Sequence, residues 1–279
     1  MLTLRPSHIL EYLKCPKSYY LKYVIKAGPI KQPATLFFGT VLHKTVQAFL
    51  IEKITDKEIE DYFDSLWKEE QEEVEVEKPT GRWTLDDLFN VGVKLVSQFP
   101  KKWKETGLFP LIDPEGQFII ERTIKLQLNE DIIISGTPDI ICMNEAGEIV
   151  ILDFKTASSP AWGGFSVLSD QLKTYVLLFS NSIEAISMGI TKVDKVGFME
   201  FLKRKKTPKV LPPVTTDSSI DEEFIKKIKW VGQNILNENF FANPLMAWNS
   251  PCRMCEFQRY CTYGDREGLY FPNSFIEKN

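Results

Sequence analysis

The stretch D-I-I-I-S-G-T-P-D-I-I-C-M-N-E-A-G-E-I-V-I-L-D-F-K-T, residues 131–156, decides the fold of this chain. Two extended apolar runs flank N-E-A-G-E, whose Asn, Gly and acidic residues favour a turn. Upstream, Q-F-I-I-E-R-T-I-K-L-Q-L (117–128) reads as a strand and N-E-D as a second turn, which predicts a three-stranded antiparallel meander. Downstream, a Gly/Ser/Pro-containing loop (157–164) leads to S-D-Q-L-K-T-Y-V-L-L-F, which reads as a helix. K-V-G-F-M-E-F-L (195–202) reads as a further strand and 219–236 as a late helix. The order is β-β-β-α-β.

The first third is helical in pattern. In P-S-H-I-L-E-Y-L-K-C-P, Ser7 is placed to cap a short helix carrying Leu10 and Leu13, which Pro16 ends. A second helix then starts at Pro16, with Cys15 at its N-cap, where free N–H groups favour a thiolate. F-F-G-T-V-L-H-K-T-V-Q-A-F-L carries Leu42, Val46, Phe49 and Leu50 at helical spacing. An acidic amphipathic stretch follows over 56–77, and K-P-T-G-R breaks it. Thr84 opens a third pattern through Leu85, Leu88, Phe89 and Leu95, interrupted by Pro100 and closed near Gly107.

Composition bounds the class. At 43% hydrophobic and 26% charged residues over 279 positions, the chain can bury a real core and is not extended disorder. No apolar run approaches the ~20 residues needed to span a bilayer, and M-L-T-L-R-P-S-H lacks the order of a signal peptide, so a cytoplasmic protein is expected. In that compartment clustered cysteines serve as metal ligands or reactive groups rather than disulfides. The net charge of −4 gives no global sign of nucleic-acid binding, and the basic runs K-R-K-K (203–206) and K-K-W-K (101–104) read as solvated surface.

The residues with chemistry sit at strand ends. Asp139 follows Pro138 in one run, and Asp153 comes fourteen residues later with Lys155 two beyond it. Carboxylates on adjacent strands suit a hard divalent cation, and the alternation of side chains puts Lys155 on the same side as Asp153. Metal, activated water and an ammonium that offsets phosphorane charge are the parts a phosphodiester cleaver needs. Taken alone, D…D-x-K also reads as solvated strand ends. His43 is an imidazole suited to Mn²⁺ beside carboxylates, or a packed helix histidine. Gln171 and Tyr175 share a helix face. Cys252-x2-Cys255-x5-Cys261 is hard to explain as packing, whereas Cys142 reads as a small buried apolar residue and Glu121 as an exposed strand residue.

The ordered set S-x-x-L-x-x-L-x-x-C-P, G-x-x-x-H, P-D, D-x-K, Q-x-x-x-Y and C-x2-C-x5-C, from Ser7 to Cys261, resembles the RecB-like nucleases of the PD-(D/E)XK superfamily. It is most similar to their iron–sulfur branch, which includes the AddB nuclease domain and the CRISPR-associated RecB-like exonucleases. The resemblance implies an α/β restriction-endonuclease-like core, a mixed sheet flanked by helices, as one nuclease domain over 1–279. Within it, 36–50 and 115–205 would be the core, 50–110 a helical insertion, and 1–30 with 240–265 an iron–sulfur subdomain. Cys15, Cys252, Cys255 and Cys261 would hold a 4Fe–4S cluster, although four thiolates suit zinc equally on coordination grounds.

The same resemblance implies that His43, Asp139, Asp153 and the main-chain carbonyl of Phe154 ligate Mg²⁺ or Mn²⁺. Lys155 would position the attacking water, and Gln171 and Tyr175 would support the site or contact the substrate strand. The implied activity is a deoxyribonuclease, an exonuclease on single-stranded DNA or DNA ends, in recombination or repair, viral DNA processing or CRISPR adaptation. Tyr12, Tyr19, Tyr20, Lys17 and Lys22 would line a single-strand channel, or the tyrosines would pack around the cluster. There is no G-x-x-x-x-G-K-S/T motor motif. The alternative is therefore a DNA-end-binding or processing subunit active only inside a helicase–nuclease or spacer-acquisition assembly.

Overall fold

A computed structural model describes residues 1–79, 83–162, 164–244 and 250–273. Parts of three expected features lie outside them: the break at 78–82 (residues 80–82), the loop at 157–164 (residue 163) and the cysteine-rich segment 240–265 (residues 245–249). The chain divides into two compact units, one of 1–31, 127–135 and 221–279 and one of 32–126 and 136–220.

The larger unit is built on a mixed sheet. Its central strand, Ile149–Ala157, pairs in parallel with Lys195–Leu202 on one side and antiparallel with Ile140–Asn144 on the other. Val214–Asp217 and Leu108–Pro110 form the edges, and the short Lys209–Val210 strand pairs with Lys195–Leu202. A parallel pair needs a crossover, and the Asp170–Ser180 helix, capped by Ser169, lies in that connection. Alternation along the central strand divides the faces: Val150, Leu152 and Phe154 enter a large apolar core, while Asp153 and Lys155 belong to the other set.

Three helices supply the rest of that core: Ala34–Leu50, Ile59–Glu73 and Leu85–Lys104. Phe37, Phe38, Phe63, Trp67, Leu95 and Phe99 are buried in it beside Phe154 and Phe201. Thr84 caps the third helix in a reciprocal box with Asp87. That helix runs through Pro100 rather than being interrupted there. A proline inside a helix costs about 3 kcal/mol, and here Phe99, Pro100 and Trp103 are all buried, so packing outweighs the lost hydrogen bond.

The expected meander is divided. Its middle run forms two strands, Ile132–Gly136 and Ile140–Asn144, and only the second joins the large sheet. The run 117–128 is extended in hydrogen bonding at Ile119 but regular only over Ile124–Gln127. Gly136 marks the change of sheet. A Cβ there would meet Leu178 at 2.7 Å and the Tyr175 ring at 3.1 Å, so only glycine lets the strand pass this close to the helix. Gly136→Ala should lower stability by about 1–3 kcal/mol through overpacking, read by denaturant unfolding. An unchanged midpoint would mean that the helix yields freely.

In the smaller unit, Leu2–Leu4 pairs in parallel with Ile132–Ile134, and Gly232 of the Glu222–Leu236 helix packs on Ile132 and Leu4. The Pro6–Lys14 helix starts one residue before the expected cap. Pro6 takes the first helical position and Arg5 the N-cap, so the Ser7 side chain does not cap it. Cys15 is the N-cap of Pro16–Tyr19, which continues as a π-helical turn over Tyr20–Val24. Tyr12 and Tyr19 are buried edge-on to each other, Tyr23 and Phe240 are further ring neighbours of Tyr19, and Tyr12 donates to the Asn239 carbonyl at 2.7 Å. Those two tyrosines therefore pack rather than line a channel. Leu21, Ala27, Phe257 and Tyr260 form a second small core, and Gly28–Pro29 pairs with Leu269–Tyr270. Among the described residues no helix is long and apolar enough to cross a membrane.

Candidate active site and cysteine cluster

The central strand delivers Asp153 and Lys155 to one place, where Asp153 is almost fully buried. Its Oδ1 accepts a hydrogen bond from Gln171 Nε2 at 2.8 Å, and the same amide reaches Tyr175 Oη at 2.9 Å. Its Oδ2 lies 2.6 Å from the Lys155 ammonium yet has no well-aligned hydrogen bond. A buried carboxylate oxygen in that condition has coordination capacity to spare. Burial raises the Asp153 pKa, and Lys155 opposes the rise.

Asp139, at the turn into Ile140–Asn144, is also buried. Its Oδ2 accepts the Phe154 N–H at 2.5 Å and lies 3.8 Å from His43 Nδ1. His43, on the Ala34–Leu50 helix, packs edge-on against the Phe154 ring. Burial, with Lys155 adding, lowers the imidazole pKa to about 4. The ring is therefore neutral at physiological pH and keeps a lone pair for a metal.

Glu121 is the residue the sequence reading misplaced. It is not an exposed strand residue but half-buried, with φ at +49°, and one ligand atom each from His43, Glu121 and Asp139 lie within 4.8 Å of one another. The left-handed backbone breaks the strand's alternation and turns the carboxylate inward, while its N–H still bonds to the Asp139 carbonyl at 3.1 Å. No local motif announces such a backbone at a glutamate. Burial raises its pKa; a hydrogen bond with Asp139 lowers it and the Asp153 charge raises it further. Asp139 is pushed well up by burial, then by Asp153 and Glu121, with the Phe154 N–H opposing. Tyr175 is pushed up by burial and by Asp153.

Three carboxylates with raised pKa values, a neutral imidazole and an oxygen lacking an aligned donor make a donor set that fits a divalent cation. Without the cation they oppose folding at neutral pH. Raised carboxylates favour the fold at low pH, and that contribution is lost as pH rises through their folded values. His43 acts in the other direction: its lowered pKa costs stability only as pH falls from 6.5 toward about 4. Above 6.5 it is neutral in both states, and only the carboxylates remain. Asp139→Asn should therefore raise the melting temperature of the EDTA-treated protein at about pH 7.5. Mn²⁺ should raise that of the parent more than that of the variant. Calorimetry checks both; an Asp139→Asn protein less stable without metal would show that the Phe154 hydrogen bond outweighs the repulsion.

In the smaller unit the other cysteines gather. The Cys15 sulfur accepts the Asn243 N–H at 3.5 Å, and Cys255 Sγ lies 3.9 Å from Ser18 Oγ. Cys252 lies in the 3-10 turn Pro251–Met254, which Cys255 ends, and Cys261 lies in Gln258–Tyr263. Burial raises the Cys261 thiol; Lys17 opposes this, and Cys255, Cys15 and Cys252 add to it. None of the four is in a disulfide, and Cys142 is a fully buried strand residue of the larger unit. Thiols are the donor type of zinc and iron–sulfur sites, but among the described residues only His43, Glu121 and Asp139 bring one ligand atom each within 4.8 Å of one another.

The sequence profile of the PD-(D/E)XK nuclease superfamily matches residues 3–262. The chain belongs to that superfamily. The mixed sheet with its flanking helices agrees with such a core, and the superfamily's chemistry is that of metal-dependent nucleases. No curated protein sequence matches the chain. Among solved structures, the one titled "Crystal structure of SSO0001" is similar at 14% identity and a TM-score of 0.41, covering 93% of this chain and 85% of that one.

Proposed function

We propose that the chain is a Mg²⁺- or Mn²⁺-dependent deoxyribonuclease that acts as an exonuclease on single-stranded DNA or DNA ends. The observation that supports it most is Asp153, buried between the Lys155 ammonium and the Gln171 amide beside the His43–Glu121–Asp139 group. His43, Asp139 and Asp153 are the proposed ligands, with the Phe154 carbonyl and Glu121 as further oxygens. A divalent cation bound there supplies a Lewis acid and a water of lowered pKa.

The chain's own groups do the rest. Lys155, partly exposed, brings a fixed positive charge to the side from which a phosphodiester arrives, where it orients the attacking water and offsets charge on the phosphorane. Gln171 holds Asp153 Oδ1, and Tyr175, kept protonated by burial and its acidic neighbours, orients Gln171 in turn. The neutral imidazole keeps the site free of a second fixed cation. For the cysteines we propose a 4Fe–4S cluster held by Cys15, Cys252, Cys255 and Cys261, structural in role, within a subdomain drawn from 1–30 and 240–265. In this reading 36–50 and 115–205 are the nuclease core and 50–110 a helical insertion.

The test is a cleavage assay on anaerobically purified protein, with single- and double-stranded DNA labelled at either end, in Mg²⁺, Mn²⁺ or EDTA. Stepwise shortening that requires metal supports the proposal, and the label reports polarity. No cleavage by folded, metal-loaded protein would overturn it in favour of a subunit that needs an assembly.

A further inference from the structure

The basic run K-R-K-K begins with a lysine that is not simple solvated surface. Lys203 lies directly after the Lys195–Leu202 strand, its N–H bonded to the Ala157 carbonyl at 2.7 Å, and its ammonium stands 5.7 Å over the Phe38 ring. It is half-buried, burial lowers its pKa, and no carboxylate among the described residues pairs with it. Its neighbour Lys205, by contrast, is held 2.6 Å from Asp87. A half-buried cation without a counter-charge is costly unless an anion arrives.

Lys203 lines a cavity of about 250 Å³ together with Trp83, Thr35 and Ser158. Glu77 and Lys78 also line it and contribute one charge of each sign, which leaves Lys203 as the excess. Ligand sites usually span about 300–1,000 Å³, so this one has the size for a single flat group. Trp83 supplies an aromatic face and Lys205 stands 5.3 Å over its ring, which fixes the indole. Thr35 lines both this cavity and the larger cleft that carries His43, Glu121 and Lys155. Ser158 comes three residues after Lys155, about 10 Å at the rise of a strand. The cavity therefore adjoins the cleft without reaching the carboxylates.

We propose that this cavity is a subsite for one unpaired nucleotide next to the scissile phosphate, with the base against Trp83 and its phosphate on Lys203. An aromatic face beside an uncompensated cation is the arrangement that holds single strands. A partly open pocket of this size still admits a base only when it has left the stack, so the subsite selects single-stranded over paired DNA. This rests on the nuclease reading for its substrate, and on the cavity alone for its place.

Two measurements separate the two. In the first, Asp153→Ala protein is mixed with single-stranded oligonucleotides carrying one 5-iodouracil at successive positions, irradiated, and mapped by mass spectrometry. An adduct at Trp83 from one position is expected, lost with competing unlabelled strand but not with duplex. In the second, Trp83→Ala should raise KM for single-stranded DNA by about 5- to 150-fold, the range of one base stack, and Lys203→Ala should raise it through the lost phosphate contact, with kcat far less changed in both. Trp83→Phe and Lys203→Arg should recover most of that loss, and circular dichroism verifies folding. Cleavage by the parent with no adduct at Trp83 and unaltered KM in both variants overturns the subsite and leaves the nuclease standing. An adduct at Trp83 in a protein that never cleaves supports the subsite and removes the nuclease. Neither cleavage nor adduct overturns both.

Discussion

Asp153→Asn is expected to lower metal-dependent DNA cleavage by about 10³-fold while the protein stays folded. Removing one preorganised electrostatic contact costs roughly 10²–10³ in rate, and Asp153 makes more than one. Its Oδ2 faces Lys155 at 2.6 Å and its Oδ1 takes the Gln171 amide, and it is also a proposed metal ligand. Asparagine has the same shape and keeps an oxygen for Gln171, so the loss falls on charge rather than packing. The neutral side chain also removes a repulsion that raises Asp139 and Glu121. The metal-free variant should therefore melt no lower than the parent. Initial rates on end-labelled DNA with Mn²⁺, beside a melting curve in EDTA, read both effects. Cleavage within tenfold of the parent would remove Asp153 from the site.

If the proposed cluster is held as described, Cys15→Ala is expected to abolish iron binding and loosen the smaller unit. Cys15 lies at the N-cap of Pro16–Tyr19, and the other three sulfurs lie over 252–261, so a shared metal centre closes a loop of more than two hundred residues. Ligation exists only in the fold, and in structural zinc sites it supplies about 10–16 kcal/mol. Losing a ligand should leave the termini dependent on the small core of Leu21, Ala27, Phe257 and Tyr260 and on the Gly28–Pro29 pairing. Iron per chain and the broad visible absorbance should both collapse, and limited proteolysis should cut first within the two terminal segments. Full iron content in Cys15→Ala would rule out the upstream cysteine as a ligand. Zinc without iron in the parent protein would keep the staple and overturn the cluster.

Much of this was legible along the chain because it is local. The Asp153 strand, the Asp170–Ser180 helix with its Ser169 cap, and the Thr84 cap are written in patterns a few residues long. The pairing of Asp153 with Lys155 follows from strand alternation, and that of Gln171 with Tyr175 from one helical turn. Helix starts were less legible where two signals competed: Pro6 prevailed over Ser7 because its φ is already set for the first helical position.

What failed was non-local. Pro100 reads as a helix break, yet the burial of Phe99 and Trp103 holds the helix together. The meander divides at Gly136 because the strand passes too close to Leu178 and Tyr175 for any side chain, which no strand pattern records. Glu121 alternates as an exposed residue, and only its left-handed backbone turns it toward Asp139 and His43. The sequence by itself determined the order of elements, the chemical types at the site and the superfamily they resemble. Tertiary structure alone decided which strands share a sheet, which carboxylate joins the histidine, and that Lys203 lines a cavity. Those outcomes depend on burial and on backbone approach between segments far apart in the chain, and periodicity holds no record of either.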